Sequence, residues 1–115
     1  MIKLLTIATK RADLTSDAFV TYWRLIHAPL VARMPGLRRY VINPVVTDDS
    51  MTNAKCDGID EMWFDNFIAL KEAAGSEPGK RAFADLPNFC SLATATVVTE
   101  ELEVVDRSSI AGGAL

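Results

Sequence analysis

The chain has 115 residues, half of them hydrophobic, which is enough for one domain around one core and too few for a second. Its net charge of −3, with basic residues running no longer than pairs such as Lys10-Arg11 and Arg38-Arg39, argues against nucleic acid or an anionic membrane surface as a partner. No stretch approaches the roughly 20 apolar residues of a membrane span, and the apolar start is too short for a signal peptide. A soluble, cytoplasmic protein is therefore expected, with no membrane partner.

Residues 2–9 are aliphatic and β-branched without a helical stripe, so they read as a strand. Thr15, Ser16 and Asp17 then supply helix-capping and first-turn residues. Phe19, Tyr22, Trp23, Ile26, Leu30 and Val31 recur at threes and fours and form one apolar helical face. Pro29 is expected to kink or end that helix near Ala28, with residues 30–34 as a further short turn before Met34-Pro35-Gly36 stops it.

Residues 37–46 read as a second strand, confined by Pro44 to an edge, a bulge or its own end. The polar residues 47–57 suit a long hairpin connection, and residues 58–64 a third strand. Asp65-Asn66 can cap a second helix carrying Phe67, Ile68 and Leu70. Gly75-Ser76-Glu77-Pro78-Gly79 interrupts it, residues 80–85 resume it, and Pro87 and Phe89 sit in a loop. Residues 94–105 read as the last strand, making residues 1–105 the domain and 106–115 a C-terminal tail that frays from Ser108.

The order β-α-β-β-α-β predicts an α+β ferredoxin-like fold, with an antiparallel four-stranded sheet covered by helices on one face. The strands alternate apolar residues on both faces: Leu5 and Ile7 oppose Ile2 and Leu4, Tyr40 and Ile42 oppose Val41, and Ile59 and Trp63 oppose Met62 and Phe64. The uncovered face is thus expected to pack on a second copy, giving a homodimer with sheets face to face.

Few residues carry reactive chemistry. Cys56 and Cys90 lack close spacing and read as reduced thiols, and with a single histidine no metal site is expected. There is no glycine-rich phosphate loop, nucleophile elbow or zinc-binding helix, so no cofactor is expected either. His27, beside Pro29, has an imidazole suited to general acid–base work, or to capping the helix end. Tyr40 can donate to a substrate oxygen that gains charge, or hold its hydroxyl at a wet rim. Asp85 reads as a surface partner of Arg81, with orientation of a buried partner as the alternative. Trp23, Trp63, Phe64 and Phe83 can line a pocket for a small hydrophobic or aromatic metabolite, or fill the core.

Several of these residues fall in blocks with a family likeness. Phe19-x-x-Tyr22-Trp23-x-x-x-His27-Ala28-Pro29-Leu30 and Pro35-Gly36-Leu37-Arg38-Arg39-Tyr40-Val41 resemble the EthD family of the dimeric α/β-barrel superfamily. Asp57-Gly58-Ile59-x-x-x-Trp63-Phe64-Asp65 and Phe83-x-Asp85-x-x-x-Phe89 continue the likeness in the same order. The resemblance implies a ferredoxin-like protomer that pairs into a β-barrel dimer. Relatives include a methylmuconolactone isomerase, fungal dehydratases or decarboxylases acting on aromatic polyketides, and a protein required for ether degradation beside a haem monooxygenase. By resemblance to the isomerase, His27 and Tyr40 are catalytic candidates, and the carry-over stops at those two; Trp23, Trp63 and Phe83 are candidate pocket walls by their aromatic character alone. Neither Cys56 nor Cys90 matches a functional cysteine of that isomerase, so its detailed chemistry is not carried over.

The expected function is a cofactor-independent lyase or isomerase acting by acid–base chemistry on a cyclic or aromatic metabolite. The alternative is a non-catalytic ligand-binding or accessory protein of an oxidative, monooxygenase-type degradation pathway, to which an oxidoreductase label attaches by association.

Overall fold

Residues 1–45 and 54–109 are described by the computed structural model. Val46, most of the expected hairpin connection and the end of the tail lie outside the described residues. The elements are β1 (Ile2–Lys10), α1 (Ser16–Tyr22), a π-helical turn (Trp23–His27), α2 (Ala28–Val31), β2 (Arg39–Pro44), β3 (Gly58–Phe64), α3 (Phe67–Gly75), α4 (Glu77–Asp85), a 3₁₀ turn (Leu86–Asn88) and β4 (Cys90–Val98). The strands form one sheet in the order β2-β3-β1-β4, with every neighbouring pair antiparallel. This is the expected ferredoxin-like α+β fold.

The local signals act through specific hydrogen bonds. Thr15 caps α1 by accepting from the Ala18 N–H, and Asn66 caps α3 by accepting from Ala69. Ser76 serves both sides of the α3–α4 break. Its hydroxyl donates to the Ala73 carbonyl and accepts from the Gly79 N–H, so α4 starts at Glu77, ahead of the expected turn at residue 80. Gly36, at φ 77°, takes the left-handed conformation that ends the first helical segment.

Two expectations are corrected. The regular α-helix does give way before Ala28, as expected, but to a π turn and not to a break at Pro29: the Ala28 N–H reaches back five residues to the Trp23 carbonyl, and the short α2 runs on through the proline. The widened turn relieves the clash between a proline ring and the carbonyl four residues before it, and Pro29 falls in the first turn of α2, where a missing donor costs little. The last strand begins four residues earlier than residue 94 and ends at Val98 rather than 105. It starts as soon as Cys90 pairs with Lys10 beyond a bulge, and it stops when Val98 meets Lys3, near the start of β1. Residues 99–105 keep a strand-like composition but have no strand left to pair with, and Leu102, Val104 and Val105 are exposed.

The register sorts the sheet into two faces. Leu4, Thr6, Ala8, Gly58, Asp60, Met62, Phe64, Tyr40 and Ile42 share the face that the helices cover. Leu5, Ile7, Val41, Ile59, Trp63, Leu92 and Val98 share the other, with the Lys3–Glu61 ion pair (2.9 Å) among them. Against the covered face the first helical segment presents Phe19, Trp23, His27 and Val31, all at most 1 % exposed. Four-residue steps drift around an α-helix of 3.6 residues per turn, and the wider π turn brings them back into line. Ile26, expected on the buried face, is therefore turned outward and half exposed, like Leu25.

Trp23 lies directly on Gly58, where a Cβ would collide with the indole ring. Gly58→Ala is expected to destabilise the fold by about 1–3 kcal/mol through this overpacking, read as a lower urea midpoint with an altered Trp23 fluorescence.

Candidate functional site

Because the π turn faces His27 inward, its imidazole meets the last residue of α4. Nδ1 of His27 lies 2.9 Å from Oδ2 of Asp85, with both side chains almost fully buried. The other carboxylate oxygen accepts the Tyr22 hydroxyl at 2.6 Å and the Asn88 amide at 2.9 Å. Asp85 is inward because α4 buries Gly79, Ala82 and Asp85 along one stripe while Arg81 stays exposed. The expected surface pair with Arg81 is thus replaced by the orienting role.

The protonation states follow from these contacts. Burial opposes the charge on Asp85, yet the hydrogen bonds from Tyr22, Asn88 and His27 outweigh it and hold the carboxyl below its ordinary range. Burial dominates at His27 and lowers its pKa despite Asp85. A neutral imidazole beside a carboxylate carries its proton on Nδ1, which leaves the Nε2 lone pair as the basic site. Phe89 packs against the ring, with centroids 4.7 Å apart.

His27 lines a small inner cavity. Thr6, Asp60 and Met62 form its sheet floor, His27 and Val31 one wall, and Ala82, Phe83 and Leu86 of α4 and the 3₁₀ turn the other. It offers about 10 Å³ to the centre of a water-sized group, room for one polar group and not for a ring. A larger groove of about 270 Å³ shares the Phe83 and Leu86 walls and continues along Pro87, Cys90, Ser91, Leu92 and Ala93.

Asp60 has no counterpart among the candidates taken from the sequence. It is 3 % exposed, and its Oδ1 has no hydrogen-bond partner. Burial pushes its carboxyl up to about 7, against hydrogen bonds from Thr6 that lower it. Tyr40 is a neighbour: burial and then the Asp60 charge raise its phenol well above the usual range, and its oxygen accepts the Trp23 indole N–H at 3.2 Å. Burial likewise pushes the Cys90 thiol up to about 12, so it stays protonated at neutral pH.

Residues 11–93 match the model of the EthD domain. The chain belongs to the EthD family. A crystal structure of an ethyl tert-butyl ether D (EthD) family protein from Bacillus halodurans is 28% identical, with 88% of this chain and 99% of that one covered at a TM-score of 0.77. A dimeric ferredoxin-like protein of unknown function from Thermobifida fusca is 14% identical (86% and 90% covered, TM-score 0.69). SnoaB, a cofactor-independent oxygenase from Streptomyces nogalater, is 11% identical (91% and 97% covered, TM-score 0.65). No curated protein matches.

In this EthD chain the five candidates fall into three places. His27 and Phe83 share the inner cavity. Trp23 and Tyr40 bond to each other beside it and are not among its lining residues. Trp63 lies on the opposite face of the sheet, under the Arg39 guanidinium at 4.6 Å. The Tyr22–Asp85 bond was masked by counting Tyr22 among the apolar residues. Asp60 was findable: in β3 it alternates in phase with Met62 and Phe64, so an inward carboxylate follows from the pleat.

The raised Asp60 carboxyl has a stability consequence. Below its ordinary value of 3.8 the group is protonated folded and unfolded, and as pH rises toward about 7 its contribution is progressively lost. Asp60→Asn is therefore expected to gain more in Tm over the parent at pH 8 than at pH 5. A difference of roughly 4 °C or more in thermal denaturation corresponds to about 1 kcal/mol.

Proposed function

We propose that this EthD domain is a cofactor-independent acid–base enzyme, a lyase or isomerase acting on a small cyclic or aromatic carbonyl compound. The observation that carries the reading is the Tyr22–Asp85–His27 relay, which ends at a neutral, buried imidazole on the wall of a cavity. Asp85 fixes the tautomer and stabilises the imidazolium once His27 has taken a proton, so Nε2 is a base whose orientation is set before substrate arrives. Removing a proton next to a carbonyl needs such a base and no redox group. The groove beside Phe83 and Leu86 suits the ring of the substrate, and the inner cavity suits its functional group.

Tyr40 supports the site from the side. Its oxygen already holds the Trp23 indole, which anchors the helix carrying His27 to β2. The second reading, a binding or accessory protein of an oxidative pathway, is favoured by the groove alone.

Deuterium incorporation from D₂O into a panel of small cyclic ketones, lactones and aromatic β-keto esters separates the two. The parent is expected to catalyse exchange, with His27→Ala slower by about 10²–10⁴-fold and Asp85→Asn impaired through the wrong tautomer. No exchange by the parent, together with a ligand-induced rise in Tm, would establish the accessory reading.

The domain works as a homodimer on this proposal. The uncovered sheet face carries Ile7 and Leu92, 43% and 61% exposed, together with Val41, Ile59 and Trp63. Sedimentation is expected to give twice the chain mass of 12.6 kDa, and Ile7→Glu to give monomers.

A further inference from the structure

Two groups that handle protons face the inner cavity from opposite layers, His27 from the helical wall and Asp60 from the sheet. His27 is anchored at Nδ1 by Asp85. The Asp60 carboxyl is buried, and its Oδ1 is the one buried side-chain polar atom without a partner among the described residues. An orphaned buried oxygen costs stability unless a ligand or a water meets it. Met62, Val31 and Ala82 keep the surroundings apolar, so the cavity offers a visiting polar group few partners other than Thr6, His27 and Asp60.

We propose that Asp60 is the acid half of this site: its carboxyl meets the carbonyl oxygen of the substrate in the inner cavity and gives it a proton as His27 removes one from the adjacent carbon. The inference rests on the acid–base reading above and names the group that answers the base. His27 Nε2 takes the proton, and the C–H electron pair becomes the second bond of a C=C. The carbonyl π pair moves to oxygen, which takes the Asp60 proton. The products are an enol, an imidazolium steadied by Asp85 and an Asp60 carboxylate. Return of a proton to carbon from His27, and of the enol proton to Asp60, completes the exchange or isomerisation without any outside reagent.

The substrate class follows from the fit. The cavity admits the exocyclic carbonyl oxygen alone, with the ring lying toward the groove that shares the Phe83 and Leu86 walls. A neutral ketone or lactone suits the cavity better than a carboxylate, whose charge would lose its water in an apolar enclosure. The charged and titratable groups around Asp60 do not supply a compensating cation. Tyr40 of β2 and Cys90 of β4 are held protonated, Glu61 next in β3 is engaged by Lys3 on the other face, and His27 is neutral. The carboxyl value of about 7 places the acid form within the physiological range.

The test uses the full chain and cyclohex-2-enone labelled with ¹³C at the carbonyl. At pH 5.5 the bound carbonyl resonance is expected downfield of the free one, and the shift is expected to vanish with at least tenfold weaker binding by pH 8.5. Asp60→Asn keeps a donor that does not titrate, so its binding should be independent of pH, with exchange slower by at least 100-fold. A parent shift that is flat with pH, an Asp60→Asn protein that follows the parent's pH course, or no saturable binding at pH 5.5 overturns the assignment. Exchange lost in His27→Ala but kept in Asp60→Asn overturns the role of Asp60 and leaves the base in place. A pH-dependent carbonyl shift without any exchange supports the Asp60 contact and overturns the base.

Discussion

The Asp85 carboxylate is the contact on which the rest of the site depends. Its hydrogen bonds to Tyr22, His27 and Asn88 tie the first helical segment to α4 and to the 3₁₀ turn that leads into β4. A carboxylate removed from water needs such partners, since bonds to a charged group contribute about 1.5–3 kcal/mol each and an unpaired buried charge costs more. Here they also decide which nitrogen of His27 keeps a free lone pair. One side chain thus fixes both a packing angle and a protonation state.

The π turn is what lets His27 reach that carboxylate. An uninterrupted α-helix carrying Phe19 and Trp23 inward would rotate His27 and Val31 progressively off the core, and Pro29 would meet the backbone before it. Lengthening one turn resolves both conflicts. Trp23 in turn settles onto Gly58, so the height of the helix above the sheet is set where β3 has no side chain, two residues from Asp60.

Much of the fold was legible in the sequence because its causes are local. Strand alternation, the caps at Thr15 and Asn66 and the stop at Gly36 are each written in a few neighbouring residues. The length of β4 was not, because a strand ends where its partner does and composition carries no record of that. At the site, His27 drew attention as the single histidine and Phe83 as an aromatic. Asp85 was obscured by Arg81 four residues before it, a spacing that reads equally as a surface pair. Asp60 was obscured by its neighbour Glu61, since two successive acidic residues suggest solvent even though a pleated strand must send one of them inward.

The order of the chain adds a kinetic dimension. Tyr22 and His27 lie 63 and 58 residues before the carboxylate they share, and Asp60 comes between on a strand that must first pair with β1. Contacts of such separation form late, because loop closure has to precede them. A nascent chain that has not yet produced α4 already contains its imidazole, but without the acceptor that orients it. The oriented imidazole is therefore acquired only when α4 docks on the first helical segment, as a property of the assembled domain and not of its N-terminal part.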